Sequence, residues 1–323
     1  MKTVFFGTPE FAVPTLEAMV AGDYAPALVV TQPARPVGRK RHLVDPPVAA
    51  WARSHGFDVA QPERVRQKDF MNRLREIQPD VAVVVAFGQI FRRRLLELPR
   101  LGCINVHGSL LPNWRGAAPI QASIAHGEKV TGITTMRMDV GLDSGPTLLR
   151  GELEIGPDET APELSPRLAH LGAKLLVETL DGLARGDLEA EAQDDAKATY
   201  APRLTKDDAR IDWRSTAQEI YNRWRAHTPW PGSSGRLDEK VVKILRCRPA
   251  AGSTTEPPGT FLGLEGETLH VACGDGTILA LANVQVAGKK PLGARDFMNG
   301  ERRQPGDRFH PTSDPSPPPT REN

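Results

Sequence analysis

Residues 81–87 read Val-Ala-Val-Val-Val-Ala-Phe, seven apolar positions in a row. Successive side chains of a strand face opposite sides of its sheet, so a run that is apolar throughout has no face to offer to water. Such a strand must be covered on both sides, which helices packed on a parallel sheet accomplish. The surrounding pattern agrees. Residues 4–6 form an apolar strand ending at Gly7, with helix-like spacing over 11–20, and 27–31 is a second strand. Residues 69–78 and 92–98 read as helices on either side of the valine run, and 103–106 is the next strand. This alternation predicts an α/β domain built on a parallel sheet. Residues 131–138 and 147–155 read as later strands, antiparallel at the sheet edge, and a helix over 162–184 closes the domain.

Residues 105–119, Asn-Val-His-Gly-Ser-Leu-Leu-Pro-Asn-Trp-Arg-Gly-Ala-Ala-Pro, follow the strand at 103–106. Asn105 and His107 are two apart and so share one strand face. They emerge where a parallel strand gives way to a loop, the edge at which open α/β sheets bind ligands. Asp139-Val-Gly-Leu-Asp143-Ser-Gly supplies a carboxylate in a second glycine-rich turn. These three residue types suit acyl transfer to an amine. An imidazole exchanges protons near neutral pH. A neutral amide donor stabilises a carbonyl oxygen as it becomes an oxyanion. A carboxylate orients the imidazole and favours its charged form. Cys103 shares the same face but has nothing beside it to activate a thiol, and reads as core.

The remaining composition narrows the class. With 39% hydrophobic and 25% charged residues the chain can build cores, and 41 basic against 40 acidic residues give no net charge that would announce a nucleic-acid binder. The three cysteines are widely spaced with no CxxC pair, so neither a zinc cluster nor a disulfide framework is indicated, and no metal is expected. The N-terminal apolar run is too short for a signal peptide and no run is long enough to span a bilayer, so a cytoplasmic protein without a membrane partner is expected. Gly7-Thr-Pro after the first strand is not a GxGxxG turn, which argues against a dinucleotide site.

Residues 186–199 are polar and acidic, as a linker would be. Beyond them a helix is predicted over 212–225, followed by short strands at 241–246, 259–264, 268–272 and 277–286, which suggest a small barrel or sandwich. Trp213, Trp224 and Trp230 read as core. The proline-rich tail from 311 is expected to be disordered. The predicted organisation is therefore residues 1–189, a linker over 190–202, a second domain over 203–310 and a tail over 311–323. A basic loop, Arg35-Pro-Val-Gly-Arg39-Lys40-Arg41-His42, follows the second strand, on the same sheet edge as His107. A polyanionic acceptor would find such an arm useful. Residues 203–312 hold 17 Lys/Arg against 13 Asp/Glu, too small a surplus to define an RNA-binding surface.

The sequence His107-Gly-Ser-Leu-Leu-Pro-x-Trp-Arg-Gly-Ala-Ala-Pro, continued by Asp139-Val-Gly-Leu-Asp143, resembles the signature of the folate-dependent formyltransferases. The long form is most similar to the methionyl-tRNA formyltransferases among them, and the similarity runs from Phe6-Gly-Thr-Pro to Ala287-Gly-Lys-Lys290. The resemblance implies a Rossmann-like formyltransferase domain followed by an OB-like β-barrel domain that helps hold tRNA. It implies Asn105, His107 and Asp143 as catalytic residues and Ser109, Leu110, Leu111 and Pro112 as a folate-contacting loop. Phe87, Gly88, Gln89 and Ile90 would flank the pterin. The co-substrate would be 10-formyltetrahydrofolate, and the acceptor the amino group of initiator methionyl-tRNA. Arg35, Arg39, Lys40, Arg41 and Lys206 are the expected tRNA contacts, with Ala34 and Lys40 departing from the commoner form of the loop. No obligate protein partner is implied. A nucleotide or amino-sugar acceptor, a formyltetrahydrofolate hydrolase and a non-enzymatic RNA-binding protein are the alternatives.

Overall fold

The structure is a computed structural model of the 323-residue chain, and it describes residues 1–37 and 42–310. The chain forms two compact units. The first takes in Met1–Pro119, Val130–Glu154 and Glu163–Tyr200, and the second Ile120–Lys129, Ile155–Pro162 and the residues from Ala201 onward. Two short stretches from the N-terminal half thus belong to the second unit, an excursion that leaves no trace in composition.

The strands of the first half are β1 (Thr3–Gly7), β2 (Pro26–Val30), β3 (Arg35–Val37), β4 (His42–Val44), β5 (Val59–Ala60), β6 (Val81–Val85), β7 (Cys103–His107), β8 (Arg115–Gly116), β9 (Val130–Arg137) and β10 (Thr147–Glu154). The helices are α1 (Val13–Ala21), α2 (Pro47–Ser54), α3 (Lys68–Ile77), α4 (Arg93–Leu96), α5 (Pro119–Ala125) and α6 (Ala161–Arg185). The main sheet runs β5-β2-β1-β6-β7-β9-β10. The first five are parallel, β9 pairs antiparallel with β7, and β10 antiparallel with β9. The chain steps outward from β1 to β2 and β5, then returns to place β6 on the other side of β1. That reversal opens a crevice at the carboxyl ends of β1 and β6, with β7 beside it.

All five residues of β6 are buried, as the valine run requires. On β7, Val106 and the Asn105/His107 pair face opposite sides. The Val106 side is covered by α6, whose Gly172 makes the approach possible. A Cβ there would lie 2.8 Å from Val106 Cγ1 and 3.6 Å from Ile133 Cγ2. On the other side Cys103 is fully buried, its thiol reaching the carbonyls of Leu95 and Leu96 in α4. Burial pushes that thiol up to about 12, so it stays neutral and inert.

After β11 (Tyr200–Ala201), the second unit contains α7 (Ala217–His227), β12 (Ser234–Leu237), β13 (Lys240–Ala250), β14 (Phe261–Glu265), β15 (Thr268–Ala272), β16 (Ile278–Val286), β17 (Leu292–Gly293) and α8 (Ala294–Gly300). Its antiparallel sheet runs β12-β13-β16-β15-β14, with β17 on β16, and register shifts between β13 and β16 curl it into an OB-like half-barrel. Trp213, Phe261, Phe297 and Phe309 fill the core, with Trp213 stacked on Phe309. Trp224 packs against this core, but Trp230 is 53% exposed, contrary to the core expectation. The helix expected from 212 starts at Ala217. Asp212 accepts the backbone N–H of Arg214 and folds the preceding residues into a turn, while Thr216 and Glu219 form a reciprocal capping box that fixes the start.

Two consequences can be measured. Gly172→Ala should lower stability by about 1–3 kcal/mol through overpacking, despite an intrinsic helix gain of about 1 kcal/mol. Urea unfolding should show that Val106→Ala in the same chain costs less than in wild type, because the two sites are in contact. A stabilised Gly172→Ala protein would contradict the packing. His227 is 4% exposed, and burial, reinforced by Arg223, pulls it down from 6.5 to about 4. The unfolded state therefore binds the proton first as pH falls. Its contribution is complete above pH 6.5 and lost between 6.5 and about 4, an effect of about 3 kcal/mol at about 1.4 kcal/mol per pH unit. His227→Leu should flatten the stability profile in that window, and an unchanged slope would rule the histidine out.

Candidate active site

Asn105 and His107 project from the carboxyl end of β7, where β7 pairs with β6 on one side and with β9 on the other. His107 is 4% exposed. Its Nε2 lies 3.0 Å from the carbonyl oxygen of Trp114. A carbonyl only accepts, so Nε2 carries a hydrogen in this arrangement and Nδ1 is the position left to gain or lose a proton. Nδ1 faces Asp143, with 3.8 Å to Oδ2. That distance is too long for a hydrogen bond but suits a charged pair. Asn105 is half-buried, and among the described residues its side-chain amide has no hydrogen-bond partner, which leaves a neutral donor available beside the imidazole.

The partners of His107 depend on unusual backbone. The loop after β7 doubles back through Trp114 at φ 60° and Gly116 at φ 124°. This turn aims the Trp114 carbonyl at the imidazole and the Gly116 N–H at Asp143 Oδ2, 2.9 Å away. Asp143 itself sits at φ 50°, a left-handed conformation that Asp tolerates better than most residues. Asp139 closes the same turn by accepting from Gly141 N–H and Ser144 Oγ. Gln193 holds it from outside, its Nε2 donating to the carbonyls of Asp143 at 2.8 Å and Gly145 at 2.7 Å. Its Oε1 accepts from Arg115 Nε, and the 3%-exposed Arg115 also pairs with Asp195.

The segment from Ser109 to Pro112 lies over β9. Thr134, fully buried, donates its hydroxyl to the Ser109 carbonyl at 2.7 Å and accepts the Leu111 N–H at 3.1 Å. Ser109 is buried with its hydroxyl on the Asn113 carbonyl, and Leu111 is 2% exposed. These two side chains shape the turn, whereas Leu110 and Pro112 are half-buried and turn more surface outward. At the neighbouring end of β6 the chain flips through Ala86 at φ 46° and Gly88 at φ 81°. Phe87 packs inward against Phe6 and Phe91 and is 2% exposed. Its side chain is therefore core, a correction to its reading as pocket lining. The side chain of Gln89 is engaged by the backbone of Val65 and Pro62, while Ile90 is exposed.

Among the proposed acceptor-binding residues, Arg35 is exposed on the β3–β4 hairpin and donates to Gln32 Oε1. Arg39, Lys40 and Arg41 lie outside the described residues, as does the tail from 311. Lys206 is exposed in the second unit, at a cavity of about 630 Å³ shared with Arg210, Arg236 and His310. Arg225, on α7, is 4% exposed and so is not a surface charge. It binds the carbonyls of Gly156 and Glu159. Among the described residues no helix is long and apolar enough to cross a membrane, and no group of His, Cys, Asp and Glu could hold a metal ion. The residues that sequence reasoning missed are Trp114 as a carbonyl, Gly116 as an N–H, Thr134 and Gln193.

Thr134→Val should leave the Ser109 carbonyl and the Leu111 N–H without this partner, at a cost of about 2 kcal/mol or more. Thermal unfolding should show the loss, and hydrogen exchange at Leu111 should accelerate. Unchanged exchange there would mean that the turn does not depend on Thr134.

The sequence matches the formyl transferase family over residues 1–180 and the formyl transferase C-terminal domain over residues 203–302. It is 49% identical to a methionyl-tRNA formyltransferase of Citrifermentans bemidjiense, over 95% of each chain. It is 48% identical to one of Acidobacterium capsulatum, over 96% of this chain and 99% of that one. Similar solved structures include the sugar 3N-formyl transferase WlaRD, determined with dTDP and 5-N-formyl-THF (TM-score 0.65, 18% identity, 90% of this chain and 99% of that one). Another is an N-formyltransferase of Helicobacter canadensis bound to folinic acid and dTDP-3-aminofucose (TM-score 0.63, 18% identity, 87% of this chain and 98% of that one). These structures share the fold, and the likeness in sequence along nearly the whole length is to the tRNA enzymes. The chain belongs to the formyl transferase family, among the methionyl-tRNA formyltransferases.

Proposed function

We propose that this protein transfers the formyl group of 10-formyltetrahydrofolate to the free amino group of initiator methionyl-tRNA, giving N-formylmethionyl-tRNA in the cytoplasm. The observation that carries this reading is the coincidence of two facts. Relatives named for this activity match nearly the full length at 44–49% identity, and His107 faces Asp143 across 3.8 Å with Asn105 two residues away at the same end of β7, beside the switch point.

In this reading the amine nitrogen attacks the formyl carbon, and the carbon's bond to the folate nitrogen breaks. Asn105 donates its free amide hydrogen to the formyl oxygen as negative charge builds there, the effect expected of a preorganised donor. The His107–Asp143 pair takes the proton released by the amine at Nδ1 and returns it to the departing nitrogen. Trp114 fixes the ring through Nε2, and Gly116 holds the carboxylate in place. The donor's ring system would lie along the crevice flanked by Ser109, Leu110, Leu111 and Pro112 on one side and, on the other, by Gly88, Gln89 and Ile90 with only the backbone of Phe87, whose ring is core. The exposed Ile90 and the half-buried Leu110 and Pro112 offer apolar surface suited to a flat heterocycle. Residues 1–189 form the catalytic part, and 203–310 with Arg35, Arg39, Lys40, Arg41 and Lys206 bind the acceptor.

Formyl transfer to charged initiator tRNA should fall about 10²–10³-fold in Asn105→Ala and about 10²–10⁴-fold in His107→Ala. Transfer by His107→Ala at the wild-type rate would remove the histidine from the mechanism. Formylation of an amino-sugar nucleotide with none of tRNA would overturn the choice of acceptor.

A further inference from the structure

The polar stretch between α6 and the second unit reads in sequence as a spacer, yet it is bonded along its length to the loops that shape the site. It is anchored on β10, where Glu191 and Thr147 exchange backbone hydrogen bonds of 2.8 Å in both directions. Two residues later Gln193 spans the turn of Asp143, giving its two amide hydrogens to two carbonyls two residues apart. The amide orientation is fixed, because its oxygen must face the Arg115 Nε–H. At the far end Thr199 grips the loop after β7 at three places. Its hydroxyl accepts the Trp114 N–H at 2.9 Å, its carbonyl accepts the Arg115 N–H at 2.9 Å, and its own N–H donates to the Pro112 carbonyl at 3.3 Å.

We propose that Gln193 and Thr199 are positioning residues of the formyl-transfer site, and that residues 191–199 form a strap that sets His107 and Asp143 from outside the catalytic loops. Each of the two has one strap residue behind it. Thr199 holds the peptide whose carbonyl takes His107 Nε2, and so selects the ring position free to exchange a proton. Gln193 holds the backbone that carries the Asp143 carboxylate at φ 50°. Neither residue reaches the reacting atoms. Each fixes the placement of a group in the site, and a remote change that misplaces such a group by about 1 Å can cost about 10²-fold in rate.

The kinetic arm of the test rests on the function proposed above, and the spectroscopic arm does not. Thr199→Val keeps the shape and removes the hydroxyl, Thr199→Ser restores the acceptor, and Gln193→Leu removes the clip. In the full-length protein, Thr199→Val and Gln193→Leu should each lower kcat about tenfold or more, with KM for 10-formyltetrahydrofolate and for methionyl-tRNA within about twofold of wild type. Thr199→Ser should recover most of the loss. In ligand-free protein, histidine nitrogen NMR should show His107 in the Nε2–H form in wild type and a tautomer mixture in Thr199→Val. Wild-type kcat in Thr199→Val and Gln193→Leu, or an unaltered His107 signal in Thr199→Val, overturns the strap. If Thr199→Val does not fold, the kcat of Gln193→Leu decides. If wild-type protein transfers no formyl group to tRNA, the functional reading falls and the His107 signal still decides the strap.

Discussion

One hydrogen bond organises the site: Nε2–H of His107 to the carbonyl of Trp114. A buried imidazole has two edges, and committing one to a backbone acceptor decides what the other can do. Here the remaining edge faces a carboxylate across 3.8 Å, a counter-charge for a charged ring. The bond in turn requires Trp114 at φ 60°, a conformation that an indole-bearing residue adopts only when its surroundings hold it there. Asp143 is held in the same way at φ 50°. The arrangement around His107 therefore rests on two residues in left-handed backbone and on whatever restrains them.

The sheet supplies the rest of the restraint. Burial of β6 on both faces fixes the strand beside β7, and the register of β7 between β6 and β9 fixes where Asn105 and His107 emerge. Thr134, opposite His107 on β9, then ties the following turn down to the sheet. A site built on strand ends inherits the rigidity of the sheet, and the loops need only supply direction.

Much of this was legible in the sequence. The apolar run from 81 admits few structures other than a covered strand, although the strand ends at Val85 and Ala86 is exposed, and the two-residue spacing of Asn105 and His107 predicts a shared face without reference to any relative. What was not legible depends on backbone direction. No pattern of residue types announces that the carbonyl of Trp114, rather than its indole, would meet His107, or that the Phe87 ring would turn into the core while the peptide beside it flips. The start of α7 was missed because Asp212 competes for the backbone through its own side chain, a local preference that apolar spacing does not register. Gln193 was missed because a polar residue in a polar stretch carries no periodic signal.

The bonds made by the segment between the two units bear on how such enzymes can be recombined. The family match to the first domain ends at residue 180, after Asn105, His107 and Asp143 have all been specified. A chimera joined at that point would carry all three of these residues, yet inherit Gln193 and Thr199 from the other parent or lose them. The segment following α6 belongs, in a physical sense, to the first unit. A junction that respects it falls after Tyr200, where the chain leaves the first unit. The boundary that keeps these bonds in one parent is thus about twenty residues beyond the end of the sequence match.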